Sequence, residues 1–297
     1  MSLVINHNMM AMNASRNLSS SYSRLSNSVR RLSSGLRVGT AADDAAGLAI
    51  RELMRAEIAG LNQGVRNAND AISLIQTADG ALGVVDEKLI RLKELAEQAA
   101  TGTYNSDQRL MIESEYQAMA SEITRISNST DFNGVHLLNG NLSGSTHNGA
   151  GLVSTGKLKV HFGTGNDSAE DYYYIQIGDT TASALGVGNQ AVGTARAYTV
   201  STQQAAQNAL VGINDAIISK DKIRAHLGAM QNRLENTISN LQIQAENLQA
   251  AESRISDVDV ATEMTEFVRN QVLTQSAVAM LSQANSLPQM ALQLIGG

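Results

Sequence analysis

Few residues in this 297-residue chain have the types and spacing for chemistry. The adjacent carboxylates Asp43 and Asp44 could act as a general acid and base, and Gly35 and Gly39 just before them loosely suggest a phosphate-binding loop. Spacing argues against both. A phosphate-binding loop needs Lys and then Ser or Thr directly after its last Gly, where this chain has Thr40, Ala41 and Ala42. Consecutive helical positions diverge by about 100°, so the two acids would not face a common substrate. A carboxylate here has a simpler use. Ahead of a restarting helix it meets free N–H groups and the positive end of the helix dipole, and either acid suits that place. His136, His147, His161 and His226 lack paired metal-ligand spacing and read as ordinary polar residues. With no cysteine and no Ser/His/Asp constellation, the expectation is no catalytic residue, no metal and no cofactor.

The elements that carry these residues are helical. Aromatic residues make up 3% of the chain and Trp is absent, so Leu, Ile, Val and Ala must form the core. That suits long helices packed side by side. Alternating steps of four and three from Ala206 select Leu210, Ile213, Ile217, Lys220, Arg224, Leu227, Gln231, Leu234, Ile238, Leu241, Ala245, Leu248, Glu252 and Ile255. Eleven of those fifteen positions are aliphatic, with no proline between them, which predicts a coiled-coil seam. The helix would be about 75 Å long. A compact globule of this chain length is only about 50 Å across. The pattern therefore predicts a rod. Matching seams lie at Ala11, Ala14, Leu18, Leu25 and Leu32, and at Leu61, Val65, Ala68, Ile72, Ile75, Leu82 and Leu89, with Asp79 intruding. A further helix is predicted through Ile112, Tyr116, Met119, Ile123 and Ile126.

From Asn128 to Gly193 the composition turns to Gly, Asn, Ser and Thr. Alternation in "LKVHF" and "YYYIQI" predicts two strands that turn Leu158, Val160, Phe162 and Tyr173, Ile175, Ile177 inward, joined by the loop "GTGNDSAED". The whole reads as mainly α, an elongated antiparallel coiled-coil or helical-bundle rod, with a small β-hairpin region capping the bundle.

Net charge is −6, the wrong sign for a nucleic-acid binder. Its distribution is more informative. Met1 to Ala42 holds five arginines and no acid, whereas the stretch from Ser256 carries Asp257, Asp259, Glu263 and Glu266 against Arg269 alone. Oppositely charged arms are expected to lie alongside each other. The 28 residues after Arg269 carry no charge, yet glutamines interrupt them and Pro288 is expected to break them, so no membrane span is predicted. Val272, Leu273, Val278, Leu281, Leu287, Leu292, Leu294 and Ile295 give this tail an apolar character that wants a partner. The opening "MSLVINHNMMAMNAS" has neither the basic start nor the cleavage site of a secretory signal.

Four phrases, in this order, resemble one family: "SSGLRVGTAADDAAGLAI", "DFNGVHLLNG", "ISDVDVATEMTEFVRNQVLTQSAVAMLSQAN" and "LPQMALQLIGG". They are similar to bacterial flagellins over roughly Met1–Gly165 and Thr199–Gly297, with the variable outer domains of that family missing from the middle. The resemblance implies a self-assembling subunit of the extracellular flagellar filament, exported unfolded through the flagellar type III apparatus. It implies an inner, channel-lining domain from residues 1–42 and 256–297. It implies a middle rod from 43–200, with the β-region at about 128–200, and from 201–255. Filament-packing residues would include Leu18, Leu25, Leu32, Val272, Leu281, Leu292, Leu294 and Ile295. Implied partners are further copies of the chain, hook-associated junction and cap proteins, an export chaperone and, in animal hosts, Toll-like receptor 5, but neither nucleic acid nor membrane. Receptor contact would fall on Arg91, Leu95 and Glu115, with Lys93 in place of the family's commoner Arg. The alternatives are a hook–filament junction protein, which shares such terminal helices, and an enzyme with an unrecognised site in the β-region. No local rule selects a glycosylated Ser or Thr in that region.

Overall fold

In the computed structural model, each helix begins behind a residue whose side-chain oxygen accepts a backbone N–H of the first turn. These residues are Asn8 for α1 (Met9–Ser34), Asp44 for α2 (Ala45–Ala100), Asn105 for α3 (Ser106–Ser129) and Thr181 for α4 (Ala182–Leu185). Thr202 serves α5 (Gln203–Ser256) and Asp259 serves α6 (Val260–Ile295) in the same way. Each cap satisfies a donor that the helix itself leaves free. The structure describes residues 7–149, 155–189 and 197–295, with the backbone alone for 287–289 and 291–295. The chain is mainly α, and its described strands form three antiparallel pairs between α3 and α4: β1 (Asp131–Phe132) with β2 (Val135–His136), β3 (His147–Asn148) with β4 (Thr155–Gly156), and β5 (Leu158–His161) with β6 (Tyr172–Ile175). It divides into two compact units, residues 59–245 and residues 1–58 with 246–297.

The 59–245 unit is built on an antiparallel pairing of α2 with α5. Every α5 seam position from Ala206 to Ala245 is buried or half-buried, as the heptad spacing predicts. Two apolar clusters fill the seam. One joins Val85 to Ala99 of α2 with Ala206 to Ala216 of α5 and with Ile112, Tyr116, Ala120 and Ile123 of α3. The other joins Ala68 to Leu82 with Leu227, Met230 and Leu234 and with Leu137, Leu138, Val160, Ile175 and Ile177 from the β-region. A charged layer lies where the clusters meet. Lys220 Nζ reaches Asp86 Oδ1 at 2.5 Å, and the Arg224 guanidinium donates to both Asp79 oxygens at 2.7 and 3.1 Å. The intruding Asp79 is thus the partner of one polar seam position, Arg224, and Asp86 is the partner of another, Lys220.

The β5–β6 hairpin pairs Val160 with Tyr173 and Leu158 with Ile175, and it turns inward the residues that alternation selects. It does not cap the bundle. Instead it lies along the flank of α2, where Asn67 Nδ2 donates to His161 O at 2.8 Å and Gly64 passes directly beneath the Phe162 carbonyl. Asp171 holds the hairpin loop by accepting the backbone N–H groups of Gly165 and Asp167, which keeps its carboxyl below the usual carboxylate range. On the outer face His147, Tyr174, Tyr172 and His161 form a continuous run of ring contacts, and Lys159 Nζ sits 3.6 Å from the centre of the Tyr172 ring. Each histidine donates its Nδ1–H to a backbone carbonyl, of Lys157 and Asp171 respectively.

In the other unit α1 and α6 pack antiparallel, tied at one end by Arg31–Glu263 at 3.6 Å and at the other by Asn8 Nδ2 donating to Ala284 O at 2.8 Å. Pro288 does not break α6, contrary to the expectation from sequence. A proline deprives the carbonyl four residues earlier of its donor, here that of Ala284. Asn8 supplies a replacement while its Oδ1 caps α1.

Two substitutions at helical glycines separate packing from propensity. A Cβ at Gly64 would stand 1.9 Å from Phe162 O, whereas Gly80 and Gly83 have nothing within 4 Å. Gly→Ala in a helix gains up to about 1 kcal/mol from propensity. Overpacking costs about 1–3 kcal/mol. G64A is therefore expected to lower the urea midpoint and G80A or G83A to raise it. A second expectation concerns pH. Hydrogen bonding to Arg224 holds the Asp79 carboxyl below its ordinary value of 3.8. A lowered carboxylate stabilises the fold above its unfolded value and ceases to do so as pH falls through the folded one. The stability difference between the natural chain and D79N, measured by urea titration, should be full at pH 7. It should shrink as pH falls below about 4.

Candidate assembly surfaces

The break between α1 and α2 is a clasp. Gly35 ends α1 in the left-handed conformation, and the chain then pairs antiparallel with the link between α5 and α6. Arg37 N–H donates to Ser256 O at 2.7 Å, Val258 N–H to Gly35 O at 3.0 Å, and the Arg37 guanidinium to Ile255 O at 2.7 Å. The adjacent acids divide their work. Asp44 caps α2, whereas Asp43 accepts the N–H groups of Gly39 and Thr40 and pairs with Arg30 at 2.9 Å. Those donors, with the Thr40 hydroxyl first, hold the Asp43 carboxyl below its ordinary value. Arg51 is buried and donates to Val38 O at 2.7 Å, closing the turn from the other side. Arg30, Arg37 and Arg51 are each engaged within the chain, so the break is an ordered turn.

Beyond the clasp, α1 and α6 bury almost nothing. Ser28 is the buried residue of α1, and Asn270 and Ala284 are those of α6 among the described side chains. Leu18, Leu25, Leu32 and Leu281 are half-buried in the pairing of the two helices. Val272, by contrast, is 54% exposed. Met9, Met10, Met12, Tyr22 and Val29 on α1 are exposed with it, as are Met264, Val268, Leu273, Val278 and Met280 on α6. Heptad stepping passed over most of these because they lie off the α1–α6 seam. The side chains of Leu292, Leu294 and Ile295 lie outside the described residues. Between the helices runs an open groove of about 660 Å³, lined by polar or small residues such as Asn13, Asn17, Ser20 and Ser276 with Met10 and Met280 at its apolar side. Among the described residues, Arg31–Glu263 is the one ion pair between these oppositely charged helices.

A second surface lies on the 59–245 unit. Arg91 donates through Nε and Nη2 to Glu115 Oε1 at 3.0 and 2.7 Å and through Nη1 to Glu94 at 2.9 Å, and all three side chains are exposed. Leu95 does not join them. It is 1% exposed and packs in the cluster with Leu92, Ala96 and Ala99. Residues four apart differ by about 40° around a helix. With α3 packed beside α5 against this stretch of α2, that angle is enough to pass from solvent into the core.

Among the described residues no group of three or more His, Asp or Glu could hold a metal ion, and no helix is long and apolar enough to cross a membrane. The bacterial flagellin N-terminal helical region matches residues 5–143, and the bacterial flagellin C-terminal helical region matches residues 210–295. The chain is 43% identical to a flagellin of Bacillus subtilis, covering 98% of this chain and 99% of that one. It is 42% identical to the flagellar filament 33 kDa core protein of Treponema phagedenis, covering 99% and 100%. A solved structure of a putative flagellar hook-associated protein from Vibrio parahaemolyticus shares the fold at 13% identity and a TM-score of 0.55, covering 72% of this chain and 100% of that one. With relatives matched from end to end at this identity, the chain belongs to the bacterial flagellin family.

Proposed function

We propose that the chain is a structural subunit of the extracellular flagellar filament, polymerising through α1 and α6 after export in an unfolded form. The carrying observation is the α1–α6 pair, whose described buried residues are only Ser28, Asn270 and Ala284 while both helices leave apolar side chains in water. Such a pair gains its stability when neighbours cover those faces, at about 25 cal/mol per Å² of apolar surface removed from water. Contacts made head to tail by different patches build an open helical polymer. End-to-end similarity to a named filament core protein favours this over a hook–filament junction role, since the hook-associated likeness extends to fold alone. Absence of cysteine suits passage and refolding without disulfide traps. The same α1 and α6 faces are the surfaces by which an export chaperone and the hook-associated junction and cap proteins would hold the subunit.

V272D and V278D place a charge on exposed positions that touch no core cluster. Each variant should keep the urea midpoint of the monomer and lose filament formation. Normal filaments under the electron microscope would sink the reading.

The Arg91–Glu115 surface is proposed as the contact for Toll-like receptor 5, with Leu95 acting beneath it as packing. Truncating a buried leucine costs about 2–5 kcal/mol, so a variant that includes L95A confounds recognition with folding. R91A/E115A changes exposed atoms only. Monomer carrying it should activate receptor-reporter cells at least tenfold less than the natural chain at equal helicity. Equal activation would remove Arg91 and Glu115 from the contact.

A further inference from the structure

Four charged side chains interrupt the largely aliphatic seam of α2 with α5, and neither assembly surface uses them. Lys220 is 1% exposed, an extreme position for a lysine, and bonds Asp86 at 2.5 Å and Asp221 at 2.7 Å. One helical turn on, Arg224 grips Asp79 through two nitrogens. We propose that Asp79, Asp86, Lys220 and Arg224 form a register lock, which selects one alignment of α5 on α2 and so specifies the surface that the 59–245 unit offers to neighbouring subunits. Only the second clause rests on the filament reading.

The argument is one of spacing. The carboxylates stand seven residues apart on α2 and the cations four apart on α5, and the observed alignment satisfies both pairs. Aliphatic layers repeat every heptad and discriminate weakly among alignments one heptad apart. The charged layer repeats only by half, since a one-heptad slip re-pairs one cation with one carboxylate and leaves the other two without partners. A slip of seven residues one way sets Asp86 opposite Ile213 and Arg224 opposite Ile72. A slip the other way sets Lys220 opposite Lys93 and Asp79 opposite Gln231. Each slip strands a cation and a carboxylate, and the slip that strands the buried Lys220 is the more strongly penalised. A pair with one buried member, as Lys220 with Asp86, selects alignment better than it adds stability, because apolar replacement of a buried ion pair is often neutral or stabilising. Its position also matters. The layer lies at the junction of the two apolar clusters, so both halves of the core take their alignment from it.

The chain has no cysteine, so D70C and N214C, both at exposed positions, accept spin labels at unique sites. A one-heptad slip changes their axial separation by about 10 Å. With the natural layer, pulsed dipolar spectroscopy on monomer should give a single narrow distance distribution. D79L/D86L/K220L/R224L should keep its helicity and show a second population about 10 Å away. The exchanged variant D79R/D86K/K220D/R224D, with both pairs restored in reverse, should return to one. The milder D79N/R224M, which leaves Lys220 with Asp86, should show a minor second population and serves if the leucine variant does not fold. A single unshifted distribution in both the leucine and the milder variant overturns the lock, as does a second population in the exchanged variant. A slipped monomer that still builds filaments of natural helical symmetry overturns the clause about neighbouring subunits and leaves the lock standing.

Discussion

Aliphatic side chains at heptad spacing are nearly the only apolar surface this chain has to bury, and the rest of the structure answers to that constraint. With three Phe, no Trp and a core of Leu, Ile, Val and Ala, burial is won layer by layer along a seam and not around a few large rings. Between residues 59 and 245 the constraint is met within the chain. Helix α5 covers one side of α2, while α3 and the β-region cover other sides, so Leu82, Leu89, Leu92 and Leu95 are all buried. Tyr116 shows how a ring is admitted to such a core. It is fully buried, its hydroxyl donates to Ala197 O at 2.7 Å, and burial raises its pKa.

Residues 1–58 and 246–297 face the same constraint without a third layer. Two helices alone offer each other one stripe, and here the stripe holds half-buried leucines with Ser28, Asn270 and Ala284 as its buried members. What the second unit lacks is covering material. Pairing α1 with α6 through Arg31–Glu263, Asn8–Ala284 and the Arg37 clasp sets their alignment, and the methionines and valines around them stay exposed. Specific polar contacts therefore orient this pair more than burial does.

Much of this was legible beforehand because heptad patterns encode burial directly. All α5 seam positions from Ala206 to Ala245 are where the spacing puts them, and the alternation in "LKVHF" and "YYYIQI" gives the inward set of the hairpin. The resemblance sets Leu95 beside the exposed Arg91, but α2 there is covered by both α3 and α5, and Leu95 is buried. Pro288 was misread because its effect depends on whether the freed carbonyl finds another donor, and Asn8 is 276 residues away. The clasp was invisible for a similar reason. Two of its three bonds join backbone to backbone, and backbone groups leave no trace in residue types. Asp79, Lys220 and Arg224 stood out as defects in the pattern, but the pattern alone did not reveal that they answer one another.

Asn8 links two events that otherwise have no reason to coincide. Its Oδ1 starts α1 and its Nδ2 lets α6 continue across a residue that cannot donate, so one amide near the front of the chain completes a helix near its back. In a chain that emerges from its first residue to its last, the final turns of α6 have their donor waiting before they arrive. The last turns of α6 thereby depend on the first turn of α1, although 276 residues separate Asn8 from Ala284.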